Sequence, residues 1–231
     1  MDMEPFVFNC AGKICATREI AAGNEASTAD AVNRFALRPL APEEYAIFTM
    51  DLCNNQIDRH YSRFPMEELE VINALTPGRP LMERHDVRGS LPRGTFFQSR
   101  LHQEGEHVSV RPDVYVLQTE ANRDFIQNIE GGVYRETSIG FSFQRPECSI
   151  CGADLRTCAH VPGRSYGAAA CHFVMRGVQE VLEGSVVASG SQGTRFLAGA
   201  RSEPPLTALE QARRAFHEPI TLHESPFFTR E

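Results

Sequence analysis

No apolar run in this chain approaches the roughly 20 residues that a membrane-spanning helix needs, which excludes a helical integral membrane protein. Positive charge is also scarce. Lys and Arg total 23 against 30 Asp and Glu, a formal net charge of −7, so no general basic field is available to hold nucleic acid. The amino terminus, Met1-Asp2-Met3-Glu4-Pro5, lacks the basic start and apolar core of a secretory signal, and the expectation is a soluble intracellular protein. Tryptophan and internal repeats are absent; the aromatic mass is carried by 15 Phe and 5 Tyr. An even-numbered disulfide framework is missing as well. The cysteines number 7, and Cys148, Cys151 and Cys158 crowd together with His160 just beyond. Without an export signal, that crowding points to thiolates and metal and away from disulfides.

What is present suits one domain with modest appendages: 231 residues, of which 42% are hydrophobic. Residues 1–44 open on a weak apolar patch (Phe6, Val7, Phe8) and then lose all periodicity around Gly23–Asp30, which predicts a mobile segment. Tyr45–Cys53 predicts a first strand, and Pro65 the start of a helix with Met66, Leu69, Ile72 and Leu75 on its apolar side. Pro80–His85 is a short strand. Thr95–Leu101 and Val108–Leu117 form a hairpin closed by Glu104-Gly105-Glu106. A helix follows over Glu120–Glu130, capped by Thr119 and stopped by Gly131-Gly132. Cys171–Val187 returns to strand character. Pro204–His217 reads as a terminal helix ahead of a tail. The expectation is a mostly β domain with a few helices over residues 45–200, followed by a C-terminal helix and tail over 201–231.

The central stretch runs from Val133 to His160. Its first half alternates: Thr137, Ile139, Phe141 and Phe143 point one way and can fill a core, while Ser138, Gly140 and Ser142 point the other. All three of the latter are small. A cleft floor across which a peptide backbone lies needs such a face, although a half-buried edge strand with a polar outer side has the same pattern. A serine nucleophile needs an adjacent base, itself oriented by a third group. Of the 8 His, His85 stands out because it ends a short strand. Glu183 interrupts the apolar run Val181–Val187 and must be solvated at an edge or paired, because an acid buried alone is costly. A histidine is a natural partner for it.

The second half is a metal-ligand pattern. Cys148-x2-Cys151-Gly152 is a knuckle in which two thiolates reach one tetrahedral ion, and Cys158-x-His160 supplies two more ligands. A closed Cys₃His set suits a structural Zn²⁺ with no open position for water. Cys171 or His172 remain alternatives for one ligand, and Asp154 reads as a turn residue or a solvated acid. A cluster of reduced, metal-free side chains on a loop fits the same spacing.

Three ordered segments, Pro-Gly-Arg-Pro-Leu-Met-Glu-Arg-His-Asp (77–86), Glu-Thr-Ser-Ile-Gly-Phe (136–141) and Leu-Glu-Gly-Ser-Val-Val (182–187), resemble the prohead maturation proteases of tailed phages. That family is related in fold to the herpesvirus assembly proteases. The similarity covers about residues 45–190. It implies an α+β, mostly antiparallel, β-barrel-like protease domain with peripheral helices, here carrying a zinc-loop insertion over 146–165. It further implies His85 as general base, Ser138 as nucleophile and Glu183 as the orienting acid. The substrates would be the phage scaffold protein and major capsid protein, cleaved in the host cytoplasm inside the assembling procapsid by an enzyme that could self-associate. The chain departs from the family at Gly184, where a larger apolar residue is common, and at Ala188–Gly193, where a Pro-Ala-Asn-like stretch is usual. The rival expectation is a catalytically silent relative that binds scaffold during assembly. A zinc-ribbon nucleic-acid module is disfavoured by the negative charge.

Overall fold

The computed structural model describes residues 6–10, 13–15, 25–86 and 89–192, with side chains for 28–86 and 89–192. Its elements are β1 (Phe6–Cys10), β2 (Lys13–Cys15), α1 (Glu25–Asn33), β3 (Tyr45–Asp51), β4 (Cys53–Asn54), β5 (Ser62–Arg63), α2 (Met66–Leu75), β6 (Pro80–Met82), β7 (Gly94–Glu104), β8 (His107–Leu117), α3 (Arg123–Glu130), β9 (Glu136–Cys148), β10 (Ser165–Tyr166), β11 (Ala169–Ala170) and β12 (Phe173–Val187). The class is α+β with strands dominant, as expected. Among the described residues no helix is long and apolar enough to cross a membrane.

One sheet holds every strand except β10 and β11, in the order β1-β9-β2-β3-β8-β7-β6-β12-β5, with β4 beside β8. Pairing is antiparallel except where β12 runs parallel to β5 and β6. The ladder turns back on itself, because β9 also pairs with β12 from Glu136↔Val187 to Cys148↔Phe173. Among the described residues it does not close into a barrel. Between β3 and β9 lies only the short β2, which meets β9 at Lys13↔Glu136. The barrel likeness expected from the sequence therefore extends only to this partial return.

Alternation along β9 puts Ile139, Phe141 and Phe143 into the main core. They meet Phe48 and Met50 of β3, Phe96 of β7, Val110 and Val114 of β8, and Met175 and Val181 of β12. Leu69 and Ile72 of α2 cover part of this core, and Phe125, Ile126 and Ile129 of α3 another part. Each such side chain removed from water contributes about 1.5–3 kcal/mol. Met66, expected on the apolar side of α2, is instead exposed at the start of the helix. Thr119 makes no side-chain cap, and a short 3₁₀ turn at Glu120–Asn122 precedes α3. Gly132 adopts the left-handed conformation that ends the helix (φ +68°).

The folded part begins earlier than residue 45. β1 pairs with β9 from Phe6↔Phe143 to Cys10↔Ile139, and α1 spans most of the segment expected to be mobile. Val32 of α1 and the following Leu40 are buried with Tyr45, Phe97 and Tyr115 in a second, smaller cluster. Among the described side chains of α1 only Val32 is fully buried, which leaves a weak apolar signal in the sequence. The helix and tail expected over 201–231 lie outside the described residues.

Candidate functional site

Three strands converge on the candidate catalytic residues. Ser138 of β9 lies directly across from Ser185 of β12, and Gly140 across from Glu183. On the other side of β12, β6 runs parallel, with Leu81 beside Gly184 and Met82 beside Ser185. The chain leaves β6 at Met82, and His85 follows within a turn. That turn is pinned by an ion pair between Arg93 and Glu83 (2.7 Å) and by a bond from the Arg93 guanidinium to the Ala121 carbonyl (3.1 Å). The Gly89 N–H donates to the Asp86 carboxylate (2.7 Å), and the Ser90 N–H to the Asp86 carbonyl (3.0 Å).

The His85 imidazole meets the Glu183 carboxylate, with Nδ1 2.6 Å from Oε1. A carboxylate only accepts, so Nδ1–H is the donor of this contact, the arrangement required of a general base that works through Nε2. Nε2 is buried and makes no hydrogen bond among the described residues. Glu183 is itself buried (3% exposed). Its other oxygen accepts a hydrogen bond from Ser185 Oγ. Ser138 and Ser142 are buried too.

Glu183 reaches this face only because β12 is bulged. Val181 pairs with Phe141 and points into the core, and unbroken alternation would send Glu183 after it. The register shifts between Val181 and Glu183. The inserted residue, Leu182, turns Glu183 outward to stand opposite Gly140 and sends Gly184 and Val186 inward. A Cβ at Gly140 would lie 2.4 Å from Glu183 Oε1, so the carboxylate occupies the space that a side chain at 140 would fill. A Cβ at Gly184 would lie 2.6 Å from the Phe96 ring and 2.9 Å from Leu52. Those two side chains fill the volume that a side chain at 184 would take. A second register shift, between Val178 and Glu180, frees backbone N–H groups that Glu68 of α2 takes up. Its buried carboxylate accepts from Gly177 (2.7 Å) and Val178 (2.8 Å). The stretch after β12 is held by the loop after β4, the Arg59 guanidinium donating to Ser189 Oγ (2.9 Å) and the Arg59 N–H to the Ser191 carbonyl (3.0 Å).

Sequence reasoning selected His85, Ser138 and Glu183. The structure joins His85 to Glu183 and sets Ser138 one cross-strand pair further along the same face. Opposed residues on one face have Cβ atoms about 4.5–5.5 Å apart. Sequence reasoning missed the parts played by Ser185 and Gly140. The only available signal was Ser185 two places beyond Glu183, the spacing of side chains that share one face of a strand.

The metal-ligand set lies at the other end of the β9–β12 ladder. Cys148 closes β9 opposite Phe173, and the ligand atoms of Cys148, Cys151, Cys158 and His160 all lie within 4.8 Å of one another. Ligand sulfurs around a tetrahedral zinc sit roughly 3.7 Å apart, given Zn–S bonds of about 2.3 Å, so the set needs little contraction to hold an ion. Gly152 turns left-handed (φ +71°) and its N–H returns to the Cys148 carbonyl (2.8 Å), completing the knuckle. His160 Nδ1 is buried without a hydrogen bond, as expected of a ring nitrogen reserved for a metal. Asp154 is a turn residue. Its carboxylate accepts from the Arg156 N–H (2.9 Å), and Arg156 holds it below the usual carboxylate range. Cys171, the alternative ligand, has its sulfur 4.0 Å from that of Cys148.

Burial opposes ionisation of Cys148, yet the backbone N–H groups of Cys151 and Ile150 and the thiols of Cys151 and Cys158 bring it down to about 6. Cys171 is pushed up to about 11 by burial and by the charge on Cys148, and Cys158 is raised for the same reasons. One thiolate forms readily and then resists its neighbours. A divalent cation relieves that repulsion. Searches against family models, curated proteins and solved structures found no match to this chain.

Proposed function

We propose that this chain is a serine endopeptidase of the capsid-maturation type, with Ser138 as nucleophile, His85 as general base and Glu183 as the group that orients the base. The supporting observation is the 2.6 Å contact between His85 and Glu183. These residues come from separate motifs of the resemblance, and Glu183 lies on the strand paired with the one that carries Ser138. The partial return of the ladder is in keeping with the barrel-like fold of that family. In the reaction, Ser138 Oγ adds to the scissile carbonyl carbon and its proton passes to His85 Nε2. The imidazolium, steadied by Glu183, then protonates the leaving amine as the C–N bond breaks. Water repeats the sequence on the acyl-enzyme and releases the acid. The substrates are scaffold and capsid proteins inside the assembling procapsid, where confinement raises their local concentration.

A structural Zn²⁺ belongs to the same proposal, held by Cys148, Cys151, Cys158 and His160. It would order the insertion between β9 and β12. Ser138 and Cys148 are ten residues apart on β9, which is roughly 33 Å of strand, so the ion takes no part in peptide cleavage.

A second reading, a silent relative that binds scaffold, draws on one observation: His85 Nε2 makes no hydrogen bond, so the bond to Ser138 Oγ is not formed. Substrate-free sites often hold this bond loosely. Mass spectrometry of capsid and scaffold proteins co-expressed with wild type or with Ser138→Ala separates the two. Processing that depends on Ser138 supports the peptidase. Processing that survives in folded Ser138→Ala, or never occurs with wild type, overturns it.

A further inference from the structure

We infer that Ser185 is a positioning residue for this site: its hydroxyl fixes the Glu183 carboxylate so that the other oxygen stays on His85. The inference rests on the peptidase reading for its catalytic consequence, but the contact it describes can be measured without catalysis.

Glu183 is an acid with 3% of its surface exposed. A buried carboxylate is tolerated only when both oxygens find donors. Oε1 has the His85 ring at 2.6 Å. Oε2 has Ser185 Oγ, itself on a residue with no exposed surface. With one donor on each oxygen the carboxylate has a single orientation about its terminal torsion, a torsion that is otherwise broad. Gly140 completes the seat from the facing strand, since a Cβ there would strike Oε1 at 2.4 Å.

The spacing makes this a property of the strand. Glu183 and Ser185 are two residues apart on one face of β12, Ser185 faces Ser138 across the ladder, and Met82 of β6 flanks it on the other side. Ser185 therefore stands between the orienting acid and the nucleophile with its own proton directed to the acid. It needs no contact with substrate to influence the base.

The test uses the full chain and two readouts. The first is the downfield proton resonance of His85 Nδ1–H, assigned by its absence in His85→Ala. The second is the rate at which a fluorophosphonate labels Ser138. Ser185→Ala is expected to shift or abolish the resonance and slow labelling by about 10-fold to 100-fold, the scale for partners that hold a functional group from behind. Ser185→Thr keeps the hydroxyl and restores both. Ser185→Cys keeps the volume but offers only a weak donor; it follows Ser185→Ala in direction and serves if the alanine variant does not fold. An unchanged resonance in folded Ser185→Ala or Ser185→Cys overturns the inference. If the resonance moves but wild-type Ser138 is never labelled, the positioning contact stands and the peptidase reading fails.

Discussion

The two ends of the β9–β12 ladder are built by different means. At one end Cys148, Cys151, Cys158 and His160 come from a single short stretch, and their ligand atoms gather within 4.8 Å. At the other end Ser138 comes from β9, Glu183 and Ser185 from β12 and His85 from the turn after β6, and they share one place only because the register of the sheet brings those elements side by side. The first cluster is a local object whose order would come from an ion. The second is a tertiary object whose order comes from the core beneath it, where Ile139, Phe141 and Val186 alternate with the site residues. A local cluster can be lost without the fold. A register cluster is lost whenever the strands slip.

The sharpest way to break the comparison is at the register end. Ser138→Ala and His85→Ala should each remove processing, by roughly a million-fold in rate if they act as a unit, with the melting temperature close to wild type; gel and mass analysis of co-expressed capsid protein is the check. Glu183→Gln should cost less, on the order of 10⁴-fold, because the amide still fills the seat but cannot accept as the acid does. Single-turnover labelling of Ser138 would measure it, and a loss equal to that of His85→Ala would contradict the orienting role.

Gly140→Ala tests the seat alone. The new Cβ would lie 2.4 Å from Glu183 Oε1, so the carboxylate must move. We expect loss of the His85 Nδ1–H resonance together with a destabilisation of about 1–3 kcal/mol, the usual cost of overpacking. Denaturant titration and proton spectra of the same sample give both values.

At the other end, chelation or Cys148→Ser should remove about one zinc per chain, read by elemental analysis. Amide exchange should quicken across 149–172 and change little in β9 around Ser138, whose labelling rate should stay near wild type. A labelling rate that collapsed with the metal would join the two ends functionally and undo the comparison. The smallest effect concerns the metal-free chain. The Cys148 thiol is held down at about 6, below its unfolded value, so its contribution to stability is present at high pH. That contribution falls as pH drops through the window between the unfolded value and about 6, and it is gone below about 6. The melting temperature of chelated protein should decline over that window, and Cys148→Ser should flatten the decline.

Legibility followed the same division. The knuckle could be read directly because ligand spacing and Gly152 are local facts. The hairpin β7–β8 was equally plain, since alternation and a Gly105 turn (φ +60°) specify it. β1 and α1 were not legible, because a short strand and a weakly buried helix draw their stability from β9 and from Tyr45, Phe97 and Tyr115, all distant in sequence. Glu183 could be picked out as an acid in an apolar run, but its direction could not. Counting by twos from Val181 puts it in the core, and only the bulge at Leu182 turns it toward His85.

The amino-acid sequence by itself determined which side chains are available for chemistry, the α+β class, and the metal-ligand spacing. These rest on residue type and on periods of two to four residues, which act over short stretches of chain. Tertiary structure alone decided that Ser185 and Gly140 form the seat of Glu183, that Phe96 and Leu52 fill the space beside Gly184, and that β2 meets β9 at a single residue pair. Each of these depends on where two strands come into register, and register is set by the packing of the whole core, not by the residues that happen to face each other.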